Sequence, residues 1–438
     1  MWRTWSGGEA CEPAVVERPA STADVVAAVE RAVAAARPVK AVGSGHSFTG
    51  VALTGGSLLL TDRLTGLVDA DRASGRVRVR AGTTIHALGG LLDEQGLALP
   101  NLGDIDAQTI AGAIATGTHG TGATLPGLAA QVTALQLVTA AGDVLEVDAG
   151  DPDLLGAARV SLGALGVVTE VELQAVPAFT LRGVDRPLPL ADVLDGLDQL
   201  VAGHRHFEFY VFPHADVALT RANDAVDEPP RPRGRAAAWL RDVLLTNHAF
   251  HAICLAGRAA PAAIPALNRF ATWAAGSSVR VDRSDRVFAT RRLVRFTEME
   301  YALPRPAVAG AVREIKAIAE RFPVGFPMEV RFAAADDVPL SMAHGRDTAY
   351  VAVHVFRGMA WEPYFRAVEA VAVRAGGRPH WGKRHFRTAG SLAPAYPAWD
   401  RFAAVRARLD PGGVFANAYT DQVLGPPAGA TVAAPAAG

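Results

Sequence analysis

The sequence predicts an α+β protein of two domains, and three features of its 438 residues carry that prediction. Half of the residues are apolar, which is more than a single compact core needs at this length. The first 177 residues mix a helix with short strands around two glycine-rich stretches. Beyond Phe179 the texture changes to strand-like runs separated by helix-like Ala/Arg/Glu segments.

Taken in order, Ser21 and Asp24 have capping-box spacing, with Asp where Glu or Gln is commoner. Val26, Val29 and Val33 then fall on one helical face, and Pro38 lies just past the end. Val39–Val42 reads as a short strand that delivers the chain into Gly43-Ser44-Gly45-His46-Ser47. Residues 57–61, 77–79, 132–139 and 144–147 also read as strands, the last two joined as a hairpin through Ala140-Ala141-Gly142-Asp143. Residues 166–173 end in apolar/polar alternation and close a first domain at 1–177. In a second domain, 178–425, strands are expected at 207–212, 328–332 and 350–356, and a helix at 309–321. The Pro/Arg-rich residues 227–235 form a surface loop or mobile segment. The end of the second domain is free to return to the first, and the Ala/Gly/Pro-rich tail 426–438 reads as disordered.

Composition narrows the function classes. Lys plus Arg total 43 against 44 Asp plus Glu, for a net charge of −1, so nucleic acid is not the expected partner. Cys11 and Cys254 make neither a disulfide framework nor a metal site, and the 12 histidines show no H-E-x-x-H pair, so no metal is expected. The N-terminus lacks the apolar core of a secretory signal, and no transmembrane run is present. A cytoplasmic protein is expected.

Two clusters carry the chemistry. Gly43-Ser44-Gly45-His46-Ser47 follows a strand and suits a phosphate held by backbone N–H groups, though an ordinary strand-end turn has the same composition. It is neither a dinucleotide fingerprint nor a P-loop. The second cluster runs Asn101-Leu102-Gly103-Asp104, then Gln108-Thr109-Ile110-Ala111-Gly112-Ala113, then Thr116-Gly117-Thr118-His119-Gly120-Thr121-Gly122. So many glycines and threonines suit either tight backbone packing or contact with a large, flat, polyphosphate-bearing ligand. Two such clusters in one domain favour the cofactor. Further on, Glu329 and Arg331 are two apart in a strand-like run and would share a face. There they form a surface ion pair or a site for a substrate hydroxyl.

Together, GSGHS, NLGDIDAQTIAGAIATGTHGTG and SLGALGVVTEVEL resemble the FAD domain of the vanillyl-alcohol-oxidase type, also called PCMH-type. FTEMEY, Glu329-Val330-Arg331, RPHWGK and the Asp410-Pro411…Phe415-Ala416-Asn417 end resemble its aldonolactone oxidase branch, and the likeness spans about residues 5–425. The resemblance implies a flavoprotein oxidoreductase with FAD attached covalently through His46. It implies that Gly43, Ser44, Gly45 and Ser47 hold the pyrophosphate. Gly103, Asp104, Thr109, Gly112, Gly117, Thr118 and Gly120 would line the rest of the cofactor, with Val168 toward adenine. It places Glu329 and Arg331 at the substrate and Lys383 at the flavin as both a cofactor-binding and a catalytic cation. His354 would face the substrate, two residues out of register with relatives. The implied substrate is an aldono-1,4-lactone (L-gulono or D-arabinono) oxidised at C2, or alternatively an alditol such as xylitol or sorbitol. The electron acceptor, O2 or a cytochrome or quinone, stays open, as does peripheral attachment to a membrane.

Overall fold

A computed structural model gives the fold of the chain and describes residues 1–290, 292–427 and 429. The first helix, Thr22–Ala34, starts at the expected cap. Ser21 Oγ accepts from the Asp24 N–H at 3.1 Å, and the Asp24 carboxylate accepts from the Ser21 N–H at 3.0 Å. Its buried stripe is Val25, Ala28, Val29 and Ala32, one position off the expected Val26/Val29/Val33 row, and Val33 is exposed. Small alanines, not the larger valines alone, make the contact face.

Val15–Glu17, Ser57–Leu60 and Val39–Val42 form a parallel three-stranded sheet with Ser57–Leu60 in the middle. A five-stranded antiparallel sheet runs in the order Val144–Val147, Val132–Val138, Val167–Gln174, Arg76–Arg80, Leu67–Asp71. Its hairpin turns at Gly142, whose φ of +84° is a conformation that side chains resist.

Besides two small two-stranded sheets, the other strands make one eight-stranded antiparallel sheet, ordered Ser278–Arg283, Thr180–Pro189, Val217–Val226, His206–Val211, Met328–Ala333, Thr348–Phe356, Phe296–Pro304, Arg378–Pro379. Thr180–Pro189 and Val217–Val226 are not legible as strands, because Gly183, Pro187 and Pro189 interrupt the first and Arg221, Asn223 and Asp224 dilute the second. The pleat sorts the central strands into two faces. Phe207, Phe209, Val330, Phe332, Val351, Val353, Met299 and Tyr301 join one apolar core with residues of the helices Val308–Ala319 and Glu362–Arg374. Each such burial is worth about 2 kcal/mol. A one-residue slip would drive Glu329 and Arg331 into that layer, so the register is firmly set. The alternate residues, Glu208, Tyr210, Glu298, Glu300, Glu329, Arg331 and His354, turn to the opposite side.

That polar side meets the glycine-rich turn near residue 120. The Gly122 N–H donates to Phe332 O at 2.8 Å, and His206 Nδ1 lies 2.7 Å from Thr121 O. The helices Trp399–Leu409 and Ala418–Leu424 send Phe402, Val405 and Val423 into the core that holds Val77 and Val171 of the five-stranded sheet. Residues 227–234 carry neither helix nor strand. Of the tail expected to be disordered, Gly429 donates to Pro411 O at 3.2 Å, while 428 and 430–438 lie outside the described residues. No helix among the described residues is long and apolar enough to cross a membrane.

Candidate active site

The turn after Val39–Val42 is shaped for close approach. A Cβ at Gly43 would stand 2.0 Å from Thr109 Oγ1, so glycine alone lets the turn lie against the start of Ile110–Ala115. Gly45 has a φ of +66°, and a Cβ there would meet the Trp2 ring at 2.8 Å. Ser44 Oγ donates to Ala107 O. The N–H groups of Ser44, Gly45, His46 and Ser47 have no protein acceptor among the described residues, the condition of a backbone nest that takes an anion.

This turn lines a groove of about 920 Å³ together with Thr109, Gly112 and Val168. A second cavity, of about 1220 Å³, lies against the polar face of the large sheet, and His46, Ser47, Gln108 and Thr116 line both. Two joined chambers, one walled by glycine with free N–H donors, fit FAD. At the junction His46 stacks on Trp5, with ring centroids 5.2 Å apart. Burial, helped by the positive charge of Lys383, brings its pKa down to about 4, so its imidazole is neutral at neutral pH and keeps a lone pair.

The sheet face supplies the polar groups. Arg331 pairs with Glu329 through Nη2 and donates from Nε to Glu208 Oε2 at 2.8 Å. Tyr210, opposite Glu329 in register, places its hydroxyl 3.2 Å from Glu329 Oε1 and 3.0 Å from Glu208 Oε1. Burial raises the pKa of Glu329, and the charge of Arg331 reverses this only in part. Asp104 holds Arg292 by bonds of 2.7 and 3.0 Å. Farther along, Lys383 Nζ lies 2.5 Å from Glu298 Oε2 and 3.9 Å from Glu300 Oε2. Burial alone would raise the pKa of Glu298, but Lys383 and His354 more than offset it and hold it at about 2. For Lys383 the balance also favours charge: burial works against the ammonium, and Glu298 and Glu300 keep its pKa raised.

Glu329, Arg331, Lys383 and His354 thus line one cavity with His46, Ser47, Gly103, Asp104 and Thr118, and Gly43, Ser44, Gly45, Thr109, Gly112 and Val168 line the groove. Four of the expected site residues, Asp104, Gly117, Gly120 and His354, also have close partners within the chain. Asp104 keeps its place on the cavity wall: its Oδ2 holds Arg292, and its buried Oδ1 has no hydrogen-bond partner among the described residues. Gly117 and Gly120 line neither chamber. Gly117 packs on Met342, and a Cβ at Gly120 would meet Asn101 Oδ1 at 2.2 Å and Leu102 O at 2.3 Å, so both serve tight chain packing. His354 has both ring nitrogens engaged, Nδ1 at 3.0 Å from Pro327 O and Nε2 at 3.5 Å from Glu298 Oε1. It lines the cavity and at the same time stands against Glu298.

Sequence reasoning missed Glu208, Tyr210, Arg292, Glu298, Glu300 and His119. All but Arg292, Glu298 and His119 carry the signal that revealed Glu329 and Arg331, a polar residue between apolar or aromatic neighbours in a strand. No metal was expected from the sequence, yet His119, Glu300 and His380 place ligand atoms within 4.8 Å of one another. Hydrogen bonds tie most of this trio's ligand atoms. His119 Nδ1 lies 2.9 Å from Gly120 O and its Nε2 lies 3.0 Å from Glu300 Oε1, while His380 Nδ1 accepts from the Gly382 N–H at 3.0 Å.

Residues 171–423 match the family model of D-arabinono-1,4-lactone oxidase, and residues 13–148 match an FAD binding domain. The chain is 49% identical to the L-gulono-1,4-lactone dehydrogenase of Mycobacterium tuberculosis, over 97% of its own length and 99% of that protein's. It is 33% identical to the L-gulonolactone oxidase of Bos taurus, over 97% and 98%. It is 31% identical to an alditol oxidase of a Streptomyces species, over 96% and 98%. Its fold is that of a cholesterol oxidase from Brevibacterium sterolicum, with a TM-score of 0.81 over 97% of this chain and 96% of that one at 19% identity. Fold and site together define an FAD-dependent oxidoreductase. Within that class, the chain belongs to the D-arabinono-1,4-lactone oxidase family.

Proposed function

We propose that the protein oxidises an aldono-1,4-lactone, of the L-gulono or D-arabinono type, at its C2 hydroxyl with FAD as cofactor. The observation that carries this reading is the Glu329–Arg331 pair, braced by Glu208 and Tyr210 on the wall of a cavity that joins the glycine-walled groove at His46. The lactone follows the gulonolactone activity for which the 49% and 33% identical relatives are named.

FAD, when bound, supplies a two-electron acceptor for the hydride that leaves the carbinol carbon. Arg331 is fixed at Nε and Nη2, and its Nη1, without a partner among the described residues, is the donor for a substrate oxygen as negative charge develops there. Glu329 takes the hydroxyl proton. Its Oε1 is occupied by Tyr210 and Arg331, which leaves Oε2 for substrate, and its raised pKa makes it a better base than an exposed carboxylate. Lys383 keeps a positive charge in the same cavity, which favours the electron-rich reduced state of the cofactor.

We also infer that His46 carries FAD covalently. A neutral imidazole where the two chambers meet supports this, since bond formation needs a nitrogen lone pair. The same reading divides the chain near residue 177, with FAD held mainly by the first part and substrate by the second.

A substrate panel tests the reaction. Under anaerobic conditions L-gulono-1,4-lactone is expected to bleach the flavin absorbance, and xylitol is expected to leave it. Bleaching by xylitol alone would move the substrate to alditols.

A further inference from the structure

Glu298 and Glu300 stand two residues apart on Phe296–Pro304 and face the same side of the sheet. Lys383 Nζ sits between their carboxylates, at 2.5 and 3.9 Å. Behind each carboxylate stands a histidine from a different part of the chain, His354 at 3.5 Å from Glu298 and His119 at 3.0 Å from Glu300. Both histidines are tied in the same way, with Nδ1 against a backbone carbonyl, Pro327 O at 3.0 Å and Gly120 O at 2.9 Å. The His119 ring is further fixed by stacking on Tyr350, at a centroid distance of 3.4 Å. Two matched Glu–His pairs therefore enclose one ammonium. Glu298 and Glu300 are 5% and 6% exposed, so water does little to screen them.

Lys383 is in turn fastened to the turn that carries His46. Its neighbour Gly382 accepts the Phe48 N–H at 2.7 Å, and a Cβ at Gly382 would reach Ser47 Oγ at 3.3 Å. The Lys383 ammonium stands over the Phe48 ring at 5.3 Å. Its charge is thus held at a fixed place beside the chamber junction.

We propose that Glu298 and Glu300 are positioning residues that hold the Lys383 ammonium and offset its charge, and so set the reduction potential of the bound flavin. This rests on the FAD-dependent reading above. Two carboxylates around one ammonium leave the cluster more negative than Lys383 alone, and negative charge opposes electron uptake by a close neighbour. Removing one carboxylate makes the surroundings more positive and favours reduction. Removing the ammonium does the reverse.

The test is the midpoint potential of the flavin-loaded protein, measured by slow anaerobic reduction against reference dyes at neutral pH. Glu298→Gln and Glu300→Gln are each expected to shift the potential upward, Glu298→Asp to stay near the parent value, and Lys383→Met to shift it downward. An unchanged or lowered potential in folded, flavin-loaded Glu298→Gln and Glu300→Gln would overturn the proposal. So would a Glu298→Asp variant that shifts as far as Glu298→Gln, because the effect would then come from shape and not from charge. If the glutamine variants do not fold, Lys383→Met decides, and no downward shift there overturns the proposal. Failure of the functional reading looks different: the parent protein would bind no flavin, or its flavin would not be bleached by lactone.

Discussion

Arg331 meets two carboxylates at once, and Glu208, the one at its Nε, also acts on Glu329. Burial raises the pKa of Glu329, Arg331 lowers it, and the like charge of Glu208 raises it again. A base must be ionised to work, so activity falls as pH drops through that pKa. The acid limb of flavin reduction is therefore expected above the usual glutamate range. In Glu208→Gln, which loses the like charge, the limb should move to lower pH. A stopped-flow pH series reads this, and a limb that stays put or moves up contradicts the coupling. At the chamber junction, His46→Ala should give a protein with unchanged circular dichroism whose acid precipitate has lost its yellow colour, and colour kept in that pellet contradicts attachment at this residue. At this scale the sequence showed Glu329 and Arg331 through strand alternation. The same alternation marks Glu208, Tyr210 and Glu300, but which face of each strand is polar by design and which by exposure depends on what packs above it.

Among elements, the turn from Gly43 to Ser47 has little steric freedom. Its first glycine leaves 2.0 Å for a Cβ against Thr109, whereas Gly55 has nothing within 4 Å. Gly43→Ala is expected to lower flavin content and to cost about 1–3 kcal/mol of stability through forced displacement of the Ile110–Ala115 start. Gly55→Ala should change neither. Absorbance of the purified proteins and thermal melts check both, and a Gly43→Ala protein with full flavin content would contradict the cradle. Elements with local signals were legible: the Ser21 cap, the strand into the turn, the hairpin at Gly142. Thr180–Pro189 and Val217–Val226 were not, because ten paired residues of each strand support prolines and polar side chains that neither strand would tolerate alone. Gly117 and Gly120 show the converse difficulty. Glycine demanded by a neighbouring backbone looks the same in sequence as glycine demanded by a ligand.

Across the whole molecule, distant segments are joined by groups whose partners no local pattern shows. Lys40 is buried on Val39–Val42 and donates to Phe415 O at 3.0 Å and to Leu162 O and Gly163 O at 3.4 Å, tying the C-terminal segment to the groove. Burial, reinforced by Arg406, brings its pKa from 10.5 to about 7. Between those values the unfolded chain binds the extra proton, so this residue makes stability rise with pH from about 7 toward 10.5 and imposes its full penalty below that window. Lys40→Met should flatten the rise in melting temperature over that range, and an unchanged slope would show that Lys40 stays charged in the fold. The two-part α+β architecture was legible from length and texture; the order of the eight-stranded sheet was not, since it depends on pairings between strands far apart in the chain. The proposed activity turns on Glu329 acting on a lactone beside FAD. The most direct measurement mixes parent and Glu329→Gln proteins anaerobically with L-gulono-1,4-lactone and follows flavin absorbance. The parent should bleach, and the variant, equally loaded with flavin, should bleach at least about 100-fold more slowly. A variant that bleaches at the parent rate, or a parent that does not bleach, would contradict it.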